Sequence, residues 1–356
     1  MKTKKLSLLL ASIILLLNHQ LIFALPGLSD PIPDTSGEYV YYKDSSFARE
    51  SYVGIVYYND TTYAFRYYAP ALPEQGLEEK DIYLYFTIDN EVDFLSLTGE
   101  RIEGSTSNSD TDIINYLHDI FYEFTARRQK FTFAKGLTSS SKQDVEQFGG
   151  SVTITFNKLV PIFNIESIKA ADGKEIFSLQ TLGRLVSSDD KSFSAFKGLP
   201  AAPKDKERNF TLSKKSKSSK AQFEGLSVNI DSSWEQKMEN IWALGDAALL
   251  TLMKFQLPQD YEGKEELFEC LILRSLNEGS NSVYPIWKFQ SLEQKKGKFS
   301  ASNLIYQAEN ADLTRSFIVL NKNKDKSYSL LSITVFDSIY QSKASYFKKI
   351  LKSFKS

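Results

Sequence analysis

The stretch YVGIVYYNDTTYAFRYY, residues 52–68, decides the fold of the first half of the chain. Two aromatic and β-branched runs, residues 52–58 and 63–68, flank the polar residues 59–62. Such residues favour strands, and a short polar loop between two strands is typical of a β-hairpin. The sequence therefore predicts a hairpin here, and residues 82–88 predict a further strand.

One helix is predicted in this half, over residues 110–128. Ser109 with Asp112 resembles a capping box, and Arg127 and Arg128 complement the dipole at the far end. The apolar side chains of this segment recur at helical spacing and share one face: Ile113, Leu117, Ile120, Phe121 and Phe124. Strands are predicted after the helix at residues 152–156, 162–170 and 175–180.

The second half is predicted to begin with a strand at residues 223–230, followed by a helix that Ser232 and Glu235 open. The apolar residues assigned to one stripe of that helix are Trp234, Met238, Ile241, Trp242, Gly245, Leu249 and Leu252. Strands at residues 284–292, 299–307, 315–320 and 328–336 follow, and a closing helix packs its apolar side chains inward: Ile339, Phe347, Ile350 and Phe354.

These patterns predict the α+β class, with two domains that are each a mainly antiparallel sheet packed against one or two helices. The predicted domains are residues 38–186, which are tyrosine-rich, and residues 222–356. The entry strand, Trp234 and the final strand feeding a terminal helix make residues 222–356 resemble the α/β/α sandwich of PsbP, Mog1 and DcrB-type domains. That resemblance implies a binding or assembly module of the cell envelope, usually without catalysis.

The N-terminus has the pattern of an export signal. Lys2, Lys4 and Lys5 precede an apolar run at residues 6–17, and Ala24 offers a cleavage point. The pattern predicts a signal peptide at residues 1–24 and a periplasmic or secreted protein with no stable membrane span after cleavage. The alternative is an uncleaved anchor, although a polar break interrupts the run before it reaches the roughly 20 residues that span a bilayer.

Composition excludes several classes of protein. Beyond residue 24 the chain has one cysteine, Cys270, and one histidine, His118, so no internal disulfide and no zinc site of several His and Cys ligands is expected. Cys270 lies in an apolar run and is predicted to be buried. Removing the three leader lysines from 43 basic residues leaves 40 against 44 acidic ones, a net charge near −4 that argues against a nucleic-acid partner.

Residues 187–221 are predicted to be a linker, because they are rich in serine, proline and lysine and carry little apolar surface. An alternative function is a tether, in which Lys214, Lys215 and Lys217 bind an anionic surface.

No nucleotide-binding loop or nucleophile elbow occurs in the sequence, and no cofactor or metal site is predicted. Asp112, Asp119 and Glu123 lie on one face of the predicted helix, where carboxylates could cleave a glycan or peptidoglycan. A solvated helix face explains the same stripe. His118, at the border of that face, is either a lone general base or a side chain packing its ring.

Eleven of the 19 tyrosines fall between residues 39 and 85. If exposed, rings such as Tyr57, Tyr67 and Tyr83 could stack on sugars, but aromatic residues also favour half-buried sheet surfaces. Together these patterns favour a non-enzymatic exported envelope protein that binds another protein or a glycan. The alternatives are the carboxylate hydrolase and the anionic-surface tether.

Overall fold

A computed structural model divides the chain into two compact units, Phe23–Ala201 and Ala202–Ser356. We call them the N-terminal unit and the C-terminal unit. The predicted signal peptide, residues 1–24, lies outside the described residues. Those described are 36–46, 49–59, 62–89, 96–104, 111–130, 138–184, 208, 210–211, 217–277, 285–295, 298–307 and 312–356.

The described strands of the N-terminal unit form one antiparallel sheet in the order β6-β7-β8-β9-β1-β2-β3-β4-β5. In chain order the elements are β1 (Glu38–Asp44), β2 (Ser51–Asn59), β3 (Thr62–Ala69), β4 (Lys80–Asp89), β5 (Ser96–Gly104), α1 (Thr111–Lys130), β6 (Thr138–Val145), β7 (Gly150–Asn157), β8 (Ile165–Ala170) and β9 (Glu175–Arg184). The predicted hairpin and helix are confirmed as β2–β3 and α1. The strand predicted at residues 162–170 begins later, at Ile165.

The core of this unit lies between α1 and one face of the sheet. The ring of Phe124 is fully buried, and its centroid lies 5.7 Å from that of Tyr42, 5.7 Å from that of Phe163 and 5.6 Å from that of Phe177. Phe121 contacts the ring of Phe65 in the same way. These edge-to-face contacts add to the burial of the rings and fix α1 against β1, β3 and β9.

The C-terminal unit contains a second antiparallel sheet, in the order β12-β13-β14-β18-β17-β16-β15, and a separate hairpin of β10 and β11. In chain order the elements are β10 (Ser218–Phe223), β11 (Leu226–Asp231), β12 (Glu235–Met238), β13 (Ile241–Leu244), β14 (Ala248–Gln256), α2 (Glu265–Asn277), β15 (Pro285–Lys295), β16 (Lys298–Gln307), β17 (Asp312–Lys322), β18 (Ser327–Phe336) and α3 (Asp337–Lys352).

Both faces of this second sheet are covered. On one face the β10–β11 hairpin and α3 share a core with the sheet, and Phe347 of α3 is fully buried there. On the other face Phe268 of α2 packs its ring 5.4 Å from that of Tyr328, whose hydroxyl donates to Glu269 Oε1 at 2.9 Å. Cys270, also on α2, is buried, which confirms that prediction.

The last residues of the chain are attached to the hairpin. Ser227 of β11 and Lys355 form an antiparallel bridge, in which each backbone N–H donates to the other's carbonyl. The backbone N–H of Asn229 donates to Ser353 Oγ at 2.9 Å, and Phe354 is buried in the shared core. Residues beyond α3 therefore complete the packing of β11.

The helix predicted across residues 234–252 is wrong, because this stretch forms β12, β13 and β14. Gly245 has a positive φ of 53° in the tight turn between β13 and β14. Ile241 and Leu249 face one side of the sheet and Trp242 the other, so the predicted stripe does not exist. A strand covered on both faces carries a continuous apolar run, and its periodicity cannot be told from that of a buried helix.

The strand predicted at residues 223–230 begins later, at Leu226, since the chain reverses at Glu224 and Gly225. Both residues have positive φ, 46° and 82°, as a two-residue hairpin turn requires. β10 begins at Ser218, inside the predicted linker. The guanidinium of Arg208 lies 3.8 Å from the centroid of the Phe336 ring, so this part of the predicted linker packs on the C-terminal unit.

Both units are sheet-rich. The predicted α+β class therefore holds in coarse form, while the described residues are mostly in β-strands.

Candidate functional site

The candidate site is the outer face of β1–β4, opposite the face that packs on α1. We call it the tyrosine face. Strand pairing arranges its side chains in three rows across the sheet. Row by row, the residues are Tyr39, Val56, Ala64 and Tyr85; Tyr41, Gly54, Arg66 and Tyr83; and Lys43, Tyr52, Tyr68 and Asp81.

The middle row depends on a residue without a side chain. Gly54 lies between Tyr41 and Arg66 in the sheet, and a Cβ atom at Gly54 would lie 2.5 Å from Cε1 of Tyr41. The ring of Tyr41 therefore occupies the space over Gly54. From there its hydroxyl accepts a hydrogen bond from Arg66 Nη1 at 3.3 Å. Position 54 needs a glycine because the Tyr41 ring comes too close for a Cβ atom, and not because of the backbone angles of Gly54.

Arg66 is the centre of the tyrosine face. Its side chain is only 3% exposed, and Nε and Nη2 donate to the two carboxylate oxygens of Asp81 at 2.8 and 2.9 Å. The rings of Tyr68 and Tyr83 each lie 5.2 Å from the guanidinium carbon, within cation–π range. A planar guanidinium suits this two-pronged pairing and stacking, which a lysine could not reproduce.

In the outer row of this face two rings are partly open to a ligand. Tyr52 and Tyr68 are directly opposite each other on β2 and β3, and both are half-buried. Tyr52 donates its hydroxyl to Glu50, whose carboxylate also pairs with Lys43 at 2.6 Å. Burial, together with that carboxylate, raises the pKa of Tyr52 to about 12, so its hydroxyl stays protonated. Two fixed rings with polar edges can stack on a sugar or on an apolar side chain.

The tyrosines chosen from the sequence are placed differently. Tyr57, Tyr67 and Tyr83 are 8%, 2% and 8% exposed, so none offers an open ring to a sugar. Strand alternation turns Tyr57 and Tyr67 toward the core, and Tyr83 is covered beside Arg66. Tyr52 and Tyr68, which are half-buried and lie opposite each other on β2 and β3, were not singled out. Their only sequence signal is that they are symmetric about the predicted hairpin loop.

The carboxylates predicted on α1 do lie on that helix. Asp112 and Asp119 are exposed, and Asp119 Oδ2 accepts a hydrogen bond from Gln147 at 3.2 Å. Glu123 accepts two hydrogen bonds from Arg127 at 3.0 and 2.8 Å, an ion pair of one helical turn. His118 is half-buried. Within the described residues no cluster of three or more His, Cys, Asp or Glu could hold a metal ion. Hydrolysis by these carboxylates stays a prediction.

The basic tether is only partly described. Lys214 and Lys215 lie outside the described residues. Lys217 is exposed just before β10, and its backbone N–H donates to Ser232 Oγ at 3.0 Å. Binding of an anionic surface by these lysines stays a prediction.

A buried carboxyl on the inner face of the sheet was missed by sequence reasoning. Asp44, at the end of β1, is fully buried and accepts hydrogen bonds at Oδ1 from the backbone N–H and hydroxyl of Ser46, at 2.8 and 2.6 Å. Tyr116 of α1 donates its hydroxyl to Oδ2 at 2.7 Å. This carboxyl joins β1 to α1, and only tertiary structure brings residues 44 and 116 together.

Burial raises the pKa of Asp44, and the hydrogen bonds from Ser46 and Tyr116 offset only part of that rise. Between the ordinary aspartate pKa, about 3.9, and the raised value, the folded protein binds more protons than the unfolded chain. The stability that this carboxyl contributes is thus fully present below about pH 3.9 and is lost as the pH rises through the raised pKa of Asp44.

Asp44→Asn is expected to flatten this decline of stability with pH, in denaturant unfolding measured between pH 3.5 and 8. Asp172→Asn, at an exposed turn, is the control, and equal slopes for wild type and Asp44→Asn would contradict the assignment.

Two family models match the chain, one in each unit. Residues 37–194 match a model described as Domain of unknown function (DUF7954), and residues 218–355 match one described as Domain of unknown function (DUF7955). No curated protein matches the chain. In the part of the chain that the structure describes, none of the helices has the length and apolar character needed to cross a membrane.

Proposed function

We propose that this chain is a non-enzymatic binding protein of the cell envelope. In this proposal residues 1–24 direct its export to the periplasm or beyond, and the tyrosine face of the N-terminal unit contacts another protein or a glycan. The observation that carries the proposal is the pair of half-buried rings of Tyr52 and Tyr68, of which Tyr68 packs against the buried guanidinium of Arg66.

The rigidity of this face supports a role in binding. Arg66 is fixed by Asp81 and Tyr41, and Tyr68 packs against its guanidinium. A ligand that stacks on Tyr68 would therefore order few additional side chains, which lowers the entropic cost of association. Asp81 is 31% exposed, so its carboxylate edge remains within reach of hydroxyl or amide donors of a ligand.

For the C-terminal unit the proposal rests on the resemblance of residues 222–356 to PsbP, Mog1 and DcrB-type domains. A sheet covered by helices on both faces is compatible with such a sandwich. The resemblance favours a role in binding or assembly for this unit as well.

The test compares the full chain with Tyr52→Ala/Tyr68→Ala in pull-downs from envelope extract and in sedimentation with purified peptidoglycan. Binding energy concentrates in a few aromatic anchors, so we expect the double variant to bind its target at least tenfold more weakly. Tyr122→Ala, which removes a 40% exposed ring from α1, is the matched control and should bind like wild type.

Equal binding by the double variant and wild type would remove the tyrosine face from the proposal. Glycan release by wild type that disappears in Asp112→Asn/Asp119→Asn/Glu123→Gln would instead support the hydrolase.

A further inference from the structure

The strand β6 is an edge of the N-terminal sheet. It pairs with β7 over eight residues in unbroken register, from Thr138 opposite Asn157 to Val145 opposite Gly150. Among the described strands nothing pairs with its other side. Such an edge presents a row of backbone donors and acceptors that can pair with another strand.

This edge lacks several devices that block pairing between sheets. The strand TSSSKQDV contains no proline, and its register with β7 has no bulge. Its side chains alternate between exposed and half-buried, and Val145 alone is buried. Its two charges, Lys142 and Asp144, have opposite signs and lie two residues apart, so both project from the same face of the sheet.

We propose that β6 pairs antiparallel with β6 of a second copy of this chain, with Gln143 opposite itself. In a two-fold symmetric dimer the axis between two antiparallel edge strands is perpendicular to the sheet, so one residue must face its own copy. With Gln143 at that position, Lys142 is opposite the partner's Asp144, and Asp144 is opposite the partner's Lys142.

Charge selects this register over its neighbours. Centring the pair on Lys142 would set two lysines opposite each other, and centring it on Asp144 would set two aspartates opposite each other. Like charges in direct cross-strand positions destabilise a sheet, whereas opposite charges stabilise it. The amide of Gln143 is bonded within its own chain, because Nε2 donates to Ser141 Oγ at 3.4 Å and Oε1 accepts from Arg127 Nη1 at 3.5 Å. The register is therefore set by the two cross-strand charge pairs.

The interface is short, so the dimer is expected to be weak and concentration-dependent. Sedimentation velocity of the full chain over a concentration series should show a monomer–dimer equilibrium. Lys142→Asp and Asp144→Lys should each weaken dimerisation at least tenfold, because each places like charges opposite one another. An equimolar mixture of the two variants should dimerise again, since both cross-strand pairs then have opposite signs.

Lys174→Asp, an exposed charge reversal in the turn between β8 and β9, is the control and should dimerise like wild type. A second readout is Gln143→Cys, which should form a covalent dimer under mild oxidation, because opposed residues in antiparallel strands meet disulfide geometry. Lys174→Cys should not, and Cys270 is buried.

A chain that stays monomeric at every concentration would overturn the proposal. It would also fail if the dimer survives Lys142→Asp, if the mixture behaves like its components, or if Gln143→Cys does not cross-link. Dimerisation is independent of the tyrosine face, so Tyr52→Ala/Tyr68→Ala should leave it intact.

Discussion

Replacing Asp337 with alanine is expected to lower the free energy of unfolding of the C-terminal unit by about 3–5 kcal/mol. Asp337, in the first turn of α3, accepts a hydrogen bond from Arg315 Nε at 2.6 Å, and the two side chains are 11% and 9% exposed. The guanidinium also lies 4.8 Å from the centroid of the Tyr340 ring. Removing the carboxylate leaves a buried cation without a counter-charge, which costs more than the pair itself contributes.

Urea unfolding monitored by tryptophan fluorescence would measure the loss, because Trp234 and Trp242 lie in this unit. Arg315→Met/Asp337→Leu should recover most of the stability, since an apolar pair of similar volume leaves no charge behind. Lys322→Ala is the control, because its ammonium lies 3.9 Å from Glu265 with both side chains about one third exposed, and its loss should cost under about 1 kcal/mol. If Asp337→Ala also lost under about 1 kcal/mol, water would have to reach the Arg315 guanidinium.

Replacing Phe124 with alanine is expected to cost the N-terminal unit about 3–5 kcal/mol. The ring touches those of Tyr42, Phe163 and Phe177, so its removal opens a cavity between α1 and the sheet that rigid neighbours cannot fill. Thermal unfolding followed by near-ultraviolet circular dichroism would report the loss of aromatic packing.

Phe148→Ala provides a matched comparison, because this ring also packs on Phe177 but is only half-buried. Its loss should cost clearly less than that of Phe124, in proportion to the smaller area withdrawn from water. Equal costs for the two variants would mean that α1 is not the centre of this core.

Local patterns predicted the elements whose signal is local. The β2–β3 hairpin follows from two aromatic runs around a polar loop, and α1 follows from its helical period. β6 was missed because TSSSKQDV has no apolar alternation, and its strand form depends on pairing with β7.

The error at residues 234–252 has a tertiary cause. Whether Ile241 and Trp242 are both buried in a helix or on opposite faces of a strand depends on what covers the sheet. Here α2 covers one face while α3 and the hairpin cover the other, and neither is visible to a window of ten residues. Met238, placed in the predicted stripe, is instead 48% exposed on β12.

For the candidate site, composition pointed to the tyrosine-rich region but could not choose among its rings. Arg66 and Asp81 are fifteen residues apart and meet only because β3 pairs with β4. Tyr52 and Tyr57 lie on opposite faces of β2, and Tyr52 is the more accessible one because α1 covers the other face. Strand propensity finds the sheet, whereas register decides which side chains a ligand can touch.

The bridge between Ser227 and Lys355 imposes an order on folding during protein synthesis. All described strands of the N-terminal unit precede residue 201, so its sheet can form while the ribosome is still translating the second half. β11 can pair with β10 early, but its bridge to Lys355 must wait until residues 353–356 have emerged. A nascent chain stalled before residue 353 would therefore carry a finished first unit and a β10–β11 hairpin that lacks its backbone bridge to Lys355.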